Sequence, residues 1–184
     1  MPAYASPSIL FPVATAANGV AVDVVPGPQR LRVTLKAIDI PLVDEAGVVA
    51  YAGLKILDLP AGAITLLGAS ANLTILKDAA GVNADFDGDF GIGTVTASNN
   101  ATLATTEQNI IPTTALPEAV AGATTAKGQS TATEVGAVFD GTTTPVDVYL
   151  NFLVDDADHN VTGTATNLTV SGTIDIVYAE LGDY

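Results

Sequence analysis

Two stretches near the end of the chain alternate so regularly that they fix the fold class before anything else is read. In PVDVYLNFLVDD, Val146, Val148, Leu150, Phe152 and Val154 alternate with Asp147, Tyr149, Asn151 and Leu153. In LTVSGTIDIVYAEL, Leu168, Val170, Gly172, Ile174, Ile176 and Tyr178 alternate with Thr169, Ser171, Thr173, Asp175 and Val177. A period of two sends one set of side chains to a core and the other to a polar face, the signature of a strand buried on one side. RLRVTLKAIDI repeats the pattern from Arg30. Leu31, Val33, Leu35, Ala37 and Asp39 are expected on one face and Arg32, Thr34, Lys36, Ile38 and Ile40 on the other.

Further strands follow from the same rule. One is expected over Val48 to Leu57, between the turn residues Asp44, Glu45, Ala46, Gly47 and the break Leu59, Pro60, Ala61, Gly62, paired as a hairpin with the strand from Arg30. Ala63 to Gly68 and Ala71 to Leu76 read as strand segments joined by a kink or bulge. DFDGDFGIGTVTA places Phe86, Gly88, Phe90, Ile92, Thr94 and Thr96 in alternation, its glycines implying close backbone approach or bending. A short helix is expected over Asn100 to Asn109, which carries Glu107 and Gln108, and a long exposed contact loop from Pro112 to Thr133. About seven to nine short strands with little helix predict an all-β, antiparallel β-sandwich, and eight strands are naturally arranged as a jelly roll.

Pro26, Gly27 and Pro28 punctuate the chain ahead of the first clear strand, so residues 1–29 are expected as an extended N-terminal arm and residues 30–184 as the sandwich domain. The arm is apolar, but it lacks a basic start and is interrupted by Pro2, Pro7 and Pro12, unlike a signal peptide. No run of about 18 apolar residues occurs, so no membrane-spanning helix is expected.

Charge is unevenly placed along the chain. Residues 1–77 hold Arg30, Arg32, Lys36, Lys55 and Lys77 against five acids, whereas residues 78–184 hold fifteen acids and Lys127, so the net charge of −14 lies in the second part. That sign repels phosphate backbones and anionic lipid, which disfavours direct nucleic-acid or membrane partners.

Little in the chain is suited to catalysis. With no Cys there is no thiol nucleophile or disulfide. His159 is the one imidazole, and it follows Asp155, Asp156 and Asp158 rather than a nucleophile elbow. Asp85, Asp87 and Asp89 have the spacing that opens a calcium loop, but the sixth and twelfth positions are Phe90 and Thr96 where such a loop needs Gly and Glu. AKGQS is not a phosphate-binding loop, because no GK[ST] follows a suitable glycine run. The expectation is a non-enzyme with no cofactor and no metal, the two acidic groups being solvated turns.

The segment VDVYLNFLVDDADHNVTGTATNLTVSGTIDIVYAELGDY resembles the small capsid decoration (cement) proteins of tailed bacteriophages. The resemblance is carried by Tyr149, Leu150, Asn151 and Phe152, by Asp155, Asp156 and Asp158, by the Thr169 to Ile176 strand and by the terminal Leu181, Gly182, Asp183 and Tyr184. AGAITLLGASANLTI and DFDGDFGIGTVTA extend it over residues 61–184. It implies a jelly-roll-like homotrimer on the outer surface of the virion head, made in the host cytoplasm and bound to the major capsid protein. In that picture Ile9, Leu10, Phe11 and Val13 of the arm contact the capsid or a neighbouring subunit. The alternative reading is a non-enzymatic binding module or adhesin subunit that recognises a glycan or host surface, motivated by the Thr-rich loop and the polar strand faces.

Overall fold

The computed structural model describes residues 20–25, 28–45, 49–77, 81–155 and 166–182. These form the strands β1 (Val20–Val25), β2 (Gln29–Pro41), β3 (Val43–Glu45), β4 (Val49–Asp58), β5 (Ala63–Lys77), β6 (Gly88–Gly93), β7 (Ile111–Leu116), β8 (Ala123–Gln129), β9 (Val138–Asp140), β10 (Asp147–Asp155) and β11 (Asn167–Gly182). The first sheet has the order β1-β2-β11-β5-β8, with β9 also paired to β5; the second has the order β3-β4-β10-β6-β7. Every pairing is antiparallel.

The strand order is that of a jelly roll. The pairs β2–β11, β4–β10, β5–β8 and β6–β7 are nested one inside the next, as in a single long hairpin folded back on itself. Wrapping that hairpin brings β11 against β5 in one sheet and β10 against β6 in the other. The result is the antiparallel β-sandwich that the alternation requires, since two half-apolar sheets bury their surfaces against each other. Val20–Val25, inside the stretch read as an arm, adds β1 to the edge of the first sheet.

The core is what the two C-terminal strands prescribe. Val148, Leu150, Phe152 and Val154 from β10 meet Leu168, Val170, Ile174, Ile176 and Tyr178 from β11, all buried. Phe90 and Phe152 stack in a tilted arrangement with ring centroids 6.3 Å apart, and full burial of each such ring contributes about 1.5–3 kcal/mol. Burial, with Glu180 nearby, pushes the Tyr178 phenol up to about 12. Gly128 of β8 faces the core, where a Cβ would meet Phe90 and Ile111, so the AKGQS glycine serves packing.

Bulges change which residues face inward. On β2, Lys36 and Ala37 together oppose the single residue Ser171, and Ala37 takes φ 51° while its N–H donates to Ser171 Oγ at 2.9 Å. Beyond this point the faces swap. Ala37 and Asp39 are exposed and Ile40 is buried, the reverse of the uninterrupted alternation expected for this strand. On β5 the expected irregularity is present, with Leu67 as the extra residue beside Gly68. The inward set therefore changes from Ile64 and Leu66 to Ala69, Ala71, Leu73 and Ile75.

Three other expectations are corrected. β2 and β4 lie in different sheets, because the chain crosses the sandwich at Leu42, and β4 forms its hairpin with the short β3, with β10 on its other side. The presumed loop from Pro112 to Thr133 contains β7 and β8, whose inward positions are mostly Ala, Thr and Gly and so carry weak hydrophobic contrast. The helix expected over Asn100 to Asn109 is a single 3-10 turn, Thr105–Glu107, preceded by Ala104.

Candidate interaction surface

The outer face of the first sheet presents polar side chains in register. One row runs Thr34, Thr173, Asn72, Lys127, and the next runs Arg32, Asp175, Ser70, Gln129. Ser171, Thr74 and Thr125 make a third. Asp175 is gripped by two guanidinium forks. Arg30 donates to it from Nε at 3.0 Å and Nη2 at 2.7 Å, and Arg32 from Nε at 2.8 Å and Nη2 at 3.1 Å. Arg32, ahead of Arg30, holds the Asp175 carboxyl below the usual carboxylate range.

One end of this face is apolar. The β5 bulge turns Leu67 outward, and Val138 stands in register with Thr65, itself opposite Ala179. Leu67 and Val138 are 46% and 59% exposed. Exposed aliphatic side chains that lie together on a sheet face favour contact with another surface.

The second sheet differs in both cover and charge. Residues 94–110 fold over its outer face and bury Val49, Leu153, Ala97 and Leu103 in a small second core. Asn151, fully buried on β10, holds this cover. Its Oδ1 accepts from Ala97 N–H at 2.8 Å, and its Nδ2 donates to Val95 O at 2.9 Å and Glu107 O at 2.7 Å. Glu107 is also buried, accepting from Ser98 Oγ and Ala104 N–H, both at 2.7 Å. Gly53 and Gly93 leave the required space, since a Cβ on the first would meet Thr96 and on the second the backbone of Thr106 and Glu107. The sequence signals for this cover were Leu153 on the nominally polar face of β10 and the glycines of GIGTVTA.

The D-x-D-x-D run is a strand entrance. Phe86 and Phe90 are fully buried, and Asp85 is exposed in the turn ahead of β6. Burial, then the charge of Asp155, raises the Asp89 carboxyl above its ordinary range. Among the described residues no three carboxylate or imidazole groups converge as a metal site. Asp156, Asp158 and His159 lie outside the described residues, as do Ile9, Leu10, Phe11 and Val13.

The charges that divide the sequence by halves divide the fold by sheets. The strands of the first sheet carry Arg30, Arg32, Lys36, Lys77 and Lys127 against Asp23, Asp39, Asp140, Asp175 and Glu180, and so balance. Those of the second carry Lys55 against Asp44, Glu45, Asp58, Asp89, Asp147 and Asp155. Even Lys55 is held by Asp147 at 2.8 Å and Asp58 at 2.7 Å, which raise its ammonium above the ordinary lysine range.

Among the described residues no helix is long and apolar enough to cross a membrane. No protein-family model matches the chain, and no curated protein matches it.

Proposed function

We propose that this protein is a capsid decoration protein that lays the outer face of its first sheet on the major capsid protein at the outside of a phage head and turns its acidic second sheet to solvent. The observation that carries the reading is the charge-balanced first sheet, which no described segment covers, with Leu67 and Val138 at one end. A charge-balanced face docks on another protein without the repulsion that a net charge of −14 otherwise imposes. The jelly-roll sandwich and the resemblance of residues 61–184 support the same role. Three copies around a closed axis would place equivalent faces on a shell, and Ile9, Leu10, Phe11 and Val13 would extend the contact. Pro112 to Thr133, which together with the polar strand faces motivated a glycan-binding alternative, contains β7 and β8 rather than one long loop, so that part of its motivation is lost.

Cosedimentation with undecorated heads tests the proposal. Wild-type protein should saturate symmetric exterior sites. Leu67→Asp combined with Val138→Asp should reduce occupancy about tenfold, the scale of losing roughly 1.4 kcal/mol of binding free energy. Val95→Asp, on the exposed part of the cover, should bind normally. Absence of saturable binding by the wild type removes the capsid reading, and equal binding by all three removes the first sheet from it.

A further inference from the structure

Between the 94–110 cover and the turn that leads into β9 lies a cavity of about 240 Å³, lined by Thr105, Gln108, Asn109, Thr133, Glu134 and Ala137. Glu134 is only 9% exposed, an unusual place for a carboxylate. Its Oε2 accepts from the N–H and the hydroxyl of Thr131, both at 2.7 Å. No hydrogen bond or ion pair among the described residues reaches its Oε1, and Glu134 is one of the residues that line the cavity.

The amides on the opposite wall are already engaged. Gln108 donates to Leu103 O at 2.7 Å and accepts from Thr113 N–H and Oγ at 2.6 Å. Asn109 accepts from Thr94 N–H and donates to Thr94 Oγ, both at 3.0 Å. They fix the wall, while Thr105, Thr133 and Glu134 bring two hydroxyls and a carboxylate to the lining. Such a set offers acceptors and one negative charge.

We propose that this cavity binds a primary alkylammonium group. An ammonium has three donors and no acceptor, which matches one carboxylate oxygen and two hydroxyls. Pairing also gives a partner to a carboxylate oxygen that no described residue satisfies. A guanidinium fits less well, because its fork calls for both carboxylate oxygens and Thr131 already occupies one. A hard metal ion calls for more oxygen ligands, and no group of three acids converges among the described residues. The strongly negative chain favours cations at its surface. The ammonium can come from a free small amine or from a lysine side chain of a partner.

Titration of the full-length, isotope-labelled protein at about 0.15 M salt, where general surface attraction is screened, tests the site. With n-butylammonium, saturable NMR shifts should centre on the amides of Thr105, Thr133 and Glu134. Glu134→Gln keeps an acceptor for Thr131 and should weaken binding about tenfold, the change expected on losing a charge-assisted hydrogen bond. Thr133→Val, which spares the Glu134 bonds, should weaken it by a smaller factor. Parallel titrations with 1,4-diaminobutane and with Nα-acetyl-lysine methylamide identify the source, the tighter ligand naming the free amine or the side chain. Lack of saturation, unchanged affinity in Glu134→Gln, or equal binding of n-butanol or glucose would overturn the proposal.

Discussion

On the second sheet the outward-facing Leu153 is sealed beneath the chain's own 94–110 segment, whereas across the sandwich the outward row Thr34, Thr173, Asn72 and Lys127 has no such cover among the described residues. Both faces come from strands that alternate in the same way. What separates them is the chemistry at the outward positions. β10 and its neighbours supply a buried amide at Asn151 and glycines at Gly53 and Gly93, so a backbone segment can lie close and have its polar groups satisfied. The first sheet supplies Ser, Thr and Asn, which water can serve without help, together with charges that cancel. A face prepared for its own chain and a face left for solvent or a partner can therefore be told apart by their outward residues.

The strongest way to break this comparison is to substitute an outward asparagine on each sheet. Asn151→Ala orphans Ala97 N–H, Val95 O and Glu107 O, and at about 1–3 kcal/mol for a buried group left unsatisfied it should cost at least about 3 kcal/mol. Asn72→Ala, on an exposed position of β5, should stay within about 0.5 kcal/mol. Urea unfolding measures both. Hydrogen exchange should show the Ala97 amide losing protection in the first variant only. Equal effects would mean that the cover is not held through Asn151.

The sandwich was legible because β10 and β11 have strong contrast between their faces over their whole lengths, and any strand with Val, Leu, Ile or Phe at alternate positions must find a second apolar layer. Bulges limited how far that reading could go. A single inserted residue reverses every later position, and on β2 the residue that takes the left-handed conformation is Ala37, whose identity carries none of the warning a glycine gives. At Gly68 the warning was present and the irregularity was expected. β7 and β8 escaped notice for a different reason. Thr124, Ala126 and Gly128 alternate with Thr125, Lys127 and Gln129, and small inward residues fill the space beside Phe90 and Ile111 without raising the hydrophobic signal. The candidate surface was less legible still, since charge balance within a sheet depends on which strands become neighbours. Lys127 and Arg30 are far apart in sequence and belong to one face only because β5 and β11 lie between them.

Asp175 and Asp89 sharpen the same comparison, because the two sheets shift these carboxyls in opposite directions. For Asp175, Arg32 and Arg30 depress the folded-state pKa below the unfolded value of about 3.9. Its contribution is present above that value and is lost as pH falls through the folded pKa. Asp175→Asn should therefore destabilise the protein at pH 7 by about 1–2 kcal/mol, the scale of hydrogen bonds to a charged group at a partly exposed site. The gap between variant and wild type should close in acid. A gap independent of pH would assign the loss to shape rather than charge.

The smallest expected effect has the reverse sign. Burial and the neighbouring Asp155 raise Asp89 in the folded state, so the folded form takes up its proton more readily than the unfolded one. Stability linked to this group is present below the unfolded pKa of about 3.9 and is lost as pH rises through the folded value. Asp89→Asn removes the charge that burial and Asp155 oppose, and it should make the protein slightly more stable at pH 7 than the wild type. That advantage should fade as the medium becomes acidic enough to protonate the wild-type carboxyl. Urea midpoints at neutral pH and near pH 4 measure it. A loss of stability at pH 7 would show that the Asp89 carboxylate supports the acidic sheet, and the contrast between the two faces would then lie in their cover alone.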